Sequence, residues 1–289
     1  MMIFEDAGLY TTYQTVKSDL LSHTIANGLV GNDSEMPTFE MAVVPATIYF
    51  EEETLIALTG ADYHAYTSER EIEMFKPYLM AKGETLHFRR AAKGTRVYMA
   101  VAGGVQEAVL NQKIEAATSF KLAHQYTDVQ KKLIQKLSVV ESCPWGVDYY
   151  SLSRVYYSDI FHIYPVKDIV IPDDEVYEVS SYLSRQSFTL EGPLIQYHEQ
   201  AETRLSPGSI QVTVDQKLRV ILSAVTGEEA VAQIAPYHFS KLVQKRPGSK
   251  LIFKNVTQEE YNERKNSYDH WVKSLLMQLS YQLKSYVNA

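Results

Sequence analysis

Short alternating runs that stop at glycine or proline constrain this fold more than anything else in the chain. Thr54–Leu58 ends at Thr59-Gly60, Glu84–Phe88 alternates polar with apolar, and Thr95–Ala102 runs into Gly103-Gly104. The second half repeats the pattern at Phe188–Leu190, Ser209–Val214, Leu218–Leu222 and Leu251–Phe253, with turns at Pro207-Gly208 and Pro247-Gly248. Side chains of a strand alternate between two faces, and glycine and proline supply turn geometry, so the punctuation predicts a mainly β protein. Helices are expected at four-residue steps instead. One should follow Ser18 or Asp19 as cap, with Leu20, Leu21 and Ile25 as its face and Gly28 as its end. The lysine-rich stretch Thr127–Lys136 is a second helical candidate, and the tyrosine-rich segment Arg154–Tyr164 reads as strand.

The last segment changes period. Thr257-Gln258-Glu259-Glu260 has the form of a capping box, in which Thr and Glu satisfy exposed backbone donors reciprocally. Behind it Tyr268, Trp271, Val272, Leu275, Leu276, Leu279, Leu283 and Tyr286 recur at three- and four-residue steps, one apolar face of a long helix. The reading is therefore three parts: 1–145 and 146–256 as two β halves, and 257–289 as an amphipathic helix.

Composition excludes several classes of partner. The 289 residues carry a net charge of −7, and basic clusters such as Lys131-Lys132 and Lys245-Arg246 are short. Nucleic-acid backbones and anionic membranes need clustered cations, so neither is an expected partner. Cys143 stands alone, which rules out an intrachain disulfide and a Cys-based zinc site; a small buried hydrophobe is its expected role. The start lacks the pattern of a signal peptide, and the longest apolar stretch, Met41–Phe50, is far too short to span a bilayer, so the expected location is cytoplasmic.

Motif chemistry is sparse. There is no phosphate-cradling glycine loop, since Arg246-Pro247-Gly248-Ser249-Lys250 lacks the upstream glycine, and there is no His-Glu-x-x-His or Gly-x-Ser-x-Gly. No metal constellation can be read from the spacing of the eight histidines.

Eight stretches, taken in order, carry a resemblance. They include Gly8–Gln14, Ile25–Asn32, Phe39-Glu40-Met41, Ile56–Asp62, Tyr98–Gly104, Phe188–Leu194, Pro207–Val212 and Arg246-Pro247-Gly248. Together they resemble the family of the 5-oxoprolinase C-type subunit, known also as KipA, biotin-dependent carboxyltransferase or allophanate hydrolase subunit 2. The resemblance implies two cyclophilin-like β-barrel halves with a long C-terminal helix. It implies a B-type (KipI-like) partner and, in some systems, an A-type one, with ATP reached through those partners rather than through a motif here. The activities it implies are ATP-dependent opening of 5-oxoproline, or carboxyl transfer from carboxybiotin to urea.

Departures from the family pattern bear on any site. The family's D-L-G-R and glycine-rich loop are replaced by Thr15-Val16-Lys17-Ser18-Asp19, and its D-R-Q-T-T-G-G-Y-P segment aligns with Ala224–Ala232. Of a D-R-M-G tetrapeptide, Ser184-Arg185-Gln186-Ser187 keeps only the arginine. A planar guanidinium fork that holds a carboxylate has no substitute in valine. The resemblance leaves Gln14, Asp62, Arg185 and Gln211 as substrate-binding candidates. Asn27, Gly60, Gly103, Gly104, Glu191, Gly192 and Pro193 are expected in structural roles at family-motif positions. Two functions stay open. One is a divergent C-type subunit, working with B-type (and A-type) partners on 5-oxoproline or a related lactam or amide. The other is a non-catalytic partner of a B-type subunit that has lost the active site. The isolated chain is expected to have no ATPase, lactamase or carboxyltransferase activity.

Overall fold

A computed structural model describes residues 1–15, 19–140, 143–167, 169–197 and 202–289. The chain forms two compact units, Met1–Arg154 with Val272–Ala289, and Val155–Trp271. It is mainly β, and most of the strands fall where turn residues bracket alternating runs.

In the first unit β1 (Met2–Asp6), β4 (Thr47–Phe50), β9 (Thr85–Leu86) and β11 (Thr118–Phe120) form a sheet in the order β11-β1-β4-β9. A second sheet has the order β2-β3-β10-β5-β8, from β2 (Tyr10–Gln14), β3 (Thr38–Ala42), β5 (Thr54–Gly60), β8 (Pro77–Met80) and β10 (Arg96–Val101). Two short strands, β6 (Ala65–Tyr66) and β7 (Glu71–Ile72), pair beside them. The two sheets meet through aromatic rings: Phe39 of β3 lies 5.0 Å from Phe4 of β1 and 5.3 Å from Phe120 of β11. Buried edge-to-face rings combine large apolar burial with favourable quadrupole geometry.

Helix α1 (Leu20–Leu29) covers the second sheet. Asp19 caps it by accepting the Ser22 N–H at 3.0 Å; Ser18, the other expected cap, lies outside the described residues. Leu21 and Ile25 are buried, as are most of its other residues, whereas Leu20 in the first turn is exposed. Gly28 does not end this helix. A Cβ there would lie 2.2 Å from Leu279 Cδ2, so glycine lets the last helix approach closely. Helix α2 (Asp128–Leu137) forms in the lysine-rich stretch expected to be helical and starts at a capping box of Thr127 and Gln130. The strand expected from Arg154 begins later. Residues Tyr149–Tyr157 form helix α3, started by Asp148, which accepts the Tyr150 and Ser151 N–H groups. Leu152 and Tyr156 are its buried positions, a helical interval that the run of tyrosines obscured.

The second unit is a closed seven-stranded barrel in the order β12-β19-β16-β17-β14-β13-β20. Its strands are β12 (Ile160–Pro165), β13 (Val176–Leu183), β14 (Ser187–Glu191), β16 (Ser209–Val212), β17 (Leu218–Ile221), β19 (Ala232–Ile234) and β20 (Lys250–Asn255). A parallel pairing of β12 with β20 closes it, and closure removes the exposed edges of an open sheet. Phe161, Tyr177, Phe188 and Phe253 fill its interior. Outside the barrel, β15 (Glu202–Leu205) and β18 (Val225–Glu228) pair as a flap, and α4 (Phe239–Leu242) is one short turn.

Helix α5 (Gln258–Asn288) begins as the capping box requires. Glu260 accepts the Thr257 N–H at 2.9 Å, and Thr257 Oγ1 accepts the Glu260 N–H at 3.2 Å. Near its end Leu279 and Leu283 are buried in the first unit beside Gly28 and Gly31, so this part of its apolar face packs on its own chain. Among the described residues no helix is long and apolar enough to cross a membrane. Cys143 is buried, which raises its thiol pKa.

Candidate functional site

Each unit holds a polar constellation. In the first unit it is internal and centred on Glu40, whose side chain is 1% exposed. Alternation puts Glu40 of β3, Gln14 of β2, and Arg96 and Tyr98 of β10 on one face of the sheet. Gln14 Nε2 donates to Glu40 Oε2 at 2.7 Å, Tyr98 OH donates to the same oxygen at 2.9 Å, and Arg96 Nη1 donates to Oε1 at 3.1 Å. Burial drives the Tyr98 phenol well above its ordinary pKa, with the Glu40 carboxylate adding to the effect. Gln14 is thus committed to a buried carboxylate. Asp62 is placed elsewhere, in the loop after β5, where Oδ1 accepts the His64 N–H at 2.7 Å and shapes a local turn.

A second chain of bonds runs along α1. His23 Nδ1 lies 3.0 Å from Thr38 Oγ1, and Asn27 Nδ2 donates to the Met36 carbonyl at 2.7 Å. Asn32 donates to Asn27 Oδ1 and to the Val101 carbonyl, and its own Oδ1 accepts from Gln130 Nε2 and from the Gly103 N–H. Burial holds the His23 imidazole down at about 4, so it is neutral at pH 7. These groups fasten α1, α2 and the β10 end together. Gly103, at φ 71°, presents its N–H to Asn32 from a left-handed conformation that a β-branched residue would resist. Gly104 follows with φ 75°, and Gly60 ends β5 opposite Val97.

The second unit carries an open cavity of about 660 Å³ on the outside of the barrel wall, under the β15–β18 flap. Its floor is a cross-strand row: Gln211 of β16 lies opposite Arg219 of β17, and Arg219 lies opposite Thr189 of β14. Gln211 is buried, and its Nε2 donates to the Glu228 carbonyl, so β18 is pinned over the floor. The aligned segment Ala224–Ala232 therefore lines this cavity through Val225–Glu228, without the acid and arginine of the family pattern. Lys217 Nζ and Glu191 Oε2 form an ion pair at 2.6 Å on one wall. Arg185 sits exposed in the β13–β14 turn, beside the lining residues Ser184 and Gln186. Gly192 is required by contact: a Cβ there would lie 2.7 Å from the buried ring of Tyr177, and Pro193 continues that turn.

The four substrate-binding candidates thus divide between the units, Gln14 and Asp62 in the first, Arg185 and Gln211 in the second. Sequence reading missed Glu40, Arg96 and Arg219. Arg219 had a usable signal, a lone cation in the alternating run Leu218–Ile221; the acid–base pairing of Glu40 with Arg96 had none.

Residues 17–113 match the family model of the carboxyltransferase domain, subdomain A and B. Over 113 residues the chain is 34% identical to the 5-oxoprolinase C subunit of Escherichia coli, covering 34% of this chain and 36% of that protein. Over 265 residues it is 22% identical to the 5-oxoprolinase C subunit of Haemophilus influenzae, covering 84% and 82%. This chain is therefore similar to carboxyltransferase-domain proteins, most clearly over residues 17–113. The fold agrees: it superposes on the urea amidolyase of K. lactis with a TM-score of 0.74 at 16% identity, covering 94% of this chain and 20% of that one. The chain spans about a third of the E. coli relative and 5% of the urea amidolyase of Saccharomyces cerevisiae.

Within that family frame the two constellations differ in what they offer. The Glu40 cluster is buried and mutually bonded, which suits it to holding β2, β3 and β10 in register. The second-unit cavity is open and polar, and it presents a guanidinium, an amide, a hydroxyl and carboxylates to a small molecule. Among the described residues no group of His, Cys, Asp and Glu is arranged to hold a metal ion.

Proposed function

We propose that this chain is a divergent C-type subunit of a 5-oxoprolinase-like complex, contributing the second-unit cavity to ATP-dependent opening of 5-oxoproline or a related lactam or amide. The observation that carries this reading is the cavity itself. The segment Val225–Glu228, aligned with part of the family's D-R-Q-T-T-G-G-Y-P, lies over a polar floor containing Gln211, although its own side chains differ from that pattern. A B-type subunit, with or without an A-type one, supplies the nucleotide site that this chain's loops do not form. Trp271 and Leu275, half-exposed on α5, are the part of the apolar helix face left for such a partner.

A second reading has its own support. The Gln211 amide is engaged by a backbone carbonyl, and Ala224–Ala232 supplies neither aspartate nor arginine, which fits a non-catalytic partner that retained the barrel. One experiment separates the two. ATP turnover with 5-oxoproline is measured for the chain alone, with its B-type partner, and with the partner plus Arg185→Ala or Gln211→Ala. The first reading requires turnover with the partner that falls with these substitutions, and no turnover by the chain alone. Turnover with the partner that ignores both substitutions establishes a structural subunit.

A further inference from the structure

We infer that Arg219 anchors the carboxylate of the ligand taken up by the second-unit cavity, and that the Gln211 amide oxygen accepts a neutral N–H beside that carboxylate. The inference rests on the cavity being the functional site proposed above, and it adds the two side chains that select a lactam carboxylic acid.

Strand alternation fixes which side chains face the cavity floor. Leu218 and Val220 are buried in the barrel core, as are Ile210 and Val212, and Phe188 and Leu190. Arg219, Gln211 and Thr189 therefore point from the outer face of the wall, and the register sets them side by side in one row with Arg219 in the middle. Arg219 is exposed and makes no side-chain hydrogen bond or ion pair among the described residues, whereas Lys217 on the same face is neutralised by Glu191. A planar guanidinium in this position is suited to grip a carboxylate in two parallel hydrogen bonds.

The same alternation turns the charges of the flap away. Leu205 and Val225 pack with Ile221 on the wall side, and a Cβ on Gly227 would lie 3.2 Å from Gln211 Nε2. Glu202, Arg204 and Glu228 occupy the intervening positions and face outward. Asp215 lies in the turn between β16 and β17, outside the row. Among the described residues Arg219 is thus the unneutralised charge on the floor.

Gln211 supplies direction. Its Nε2 donates to the Glu228 carbonyl, which can only accept, so the amide is oriented and Oε1 remains as its acceptor on the strand beside Arg219. Directly opposite side chains of an antiparallel pair have Cβ atoms about 4.5–5.5 Å apart, close enough for the two to take adjacent groups of one small molecule. A carboxylate next to a ring N–H offers that pair of groups. A neutral amide oxygen suits a neutral N–H, and the row contains no carboxylate to hold an ammonium. Ile221 and Val225 give the cavity an apolar side for ring methylenes.

The test is calorimetric titration of the full chain with three probes. They are 5-oxo-L-proline, its primary amide, which lacks the carboxylate, and the corresponding lactone acid, which has a ring oxygen in place of the N–H. 5-Oxoproline should bind at least about tenfold more tightly than either analogue, because each analogue removes one hydrogen-bonding group from a site built to receive it. Arg219→Ala should abolish discrimination against the amide, and Arg219→Lys should restore part of it. Gln211→Ala should abolish discrimination against the lactone. Arg204→Ala removes the same charge from the outer face of the flap and should leave all three affinities unchanged; unchanged thermal melting shows that each variant is folded. Equal binding of the three probes, absence of binding, indifference to Arg219→Ala, or an equal loss in Arg204→Ala overturns the inference. Turnover with the B-type partner that ignores Arg219→Ala and accepts the amide equally well defeats this inference alone. Arg219-dependent binding without turnover in the complex defeats the catalytic reading alone.

Discussion

Arg96 reaches diagonally across two paired strands to Glu40, its Nη1 3.1 Å from a carboxylate oxygen, and the carboxylate is 1% exposed. Breaking a buried pair from one side leaves an uncompensated charge. Glu40→Ala and Arg96→Ala should therefore each cost about 3–5 kcal/mol in chemical unfolding. Replacing both at once with Leu and Met should be much less destabilising than the sum of the two alanine variants. An additive double variant would show that the ion pair is not the source of the cost.

Asn32 joins α1, α2 and the β10 end through four hydrogen bonds. Asn32→Ala strands several buried groups and should cost about 1–3 kcal/mol or more. Because Asn27 shares one of those bonds, Asn27→Ala and Asn32→Ala should combine less than additively in a double-mutant cycle, with a coupling of about 0.5 kcal/mol or more.

Gly28 and Leu279 occupy one space. A Cβ on Gly28 would lie 2.2 Å from Leu279 Cδ2, and Leu279 is 2% exposed. Gly28→Ala should cost about 1–3 kcal/mol by overpacking, and Leu279→Ala about 2–5 kcal/mol by leaving a cavity. Their combination should recover part of the loss, as thermal melting of the three variants would reveal. No recovery would mean that the helix shifts as a whole instead.

His23 gives a pH signature. Its unfolded pKa is near the ordinary 6.5 and burial lowers the folded value to about 4, so the unfolded chain binds more protons between those values. Stability should fall as pH drops from about 6.5 toward 4, and stay flat with respect to His23 above that window. His162, also lowered to about 4 by burial, adds a slope of the same sign. Urea midpoints at pH 7 and pH 5 should differ less in His23→Gln than in the parent chain, without becoming equal.

The α5 start offers a local test. Thr257→Ala removes the hydroxyl that accepts the Glu260 N–H and should cost about 0.5–2 kcal/mol. Hydrogen exchange should report the loss in the first turn of α5 before global unfolding is affected.

The sequence by itself determined where most strands stop, because glycine and proline act through local backbone geometry. Gly60, Gly103-Gly104, Pro207-Gly208 and Pro247-Gly248 all fall at or beside strand ends. It determined the α5 start as well, since the Thr257–Glu260 box involves only neighbours in the chain. Tertiary structure decided what pairs with what. Gln14, Glu40 and Arg96 lie far apart in sequence and converge only because β2, β3 and β10 align in one register. Gly28 looked like a helix stop, yet its reason is a side chain more than two hundred residues away. Arg219 became a site residue only when barrel closure set β17 between β16 and β14 and the β15–β18 flap covered them. Local chemistry is written in adjacent residues, whereas a buried ion pair or a cavity depends on strand register, a property of the assembled sheet.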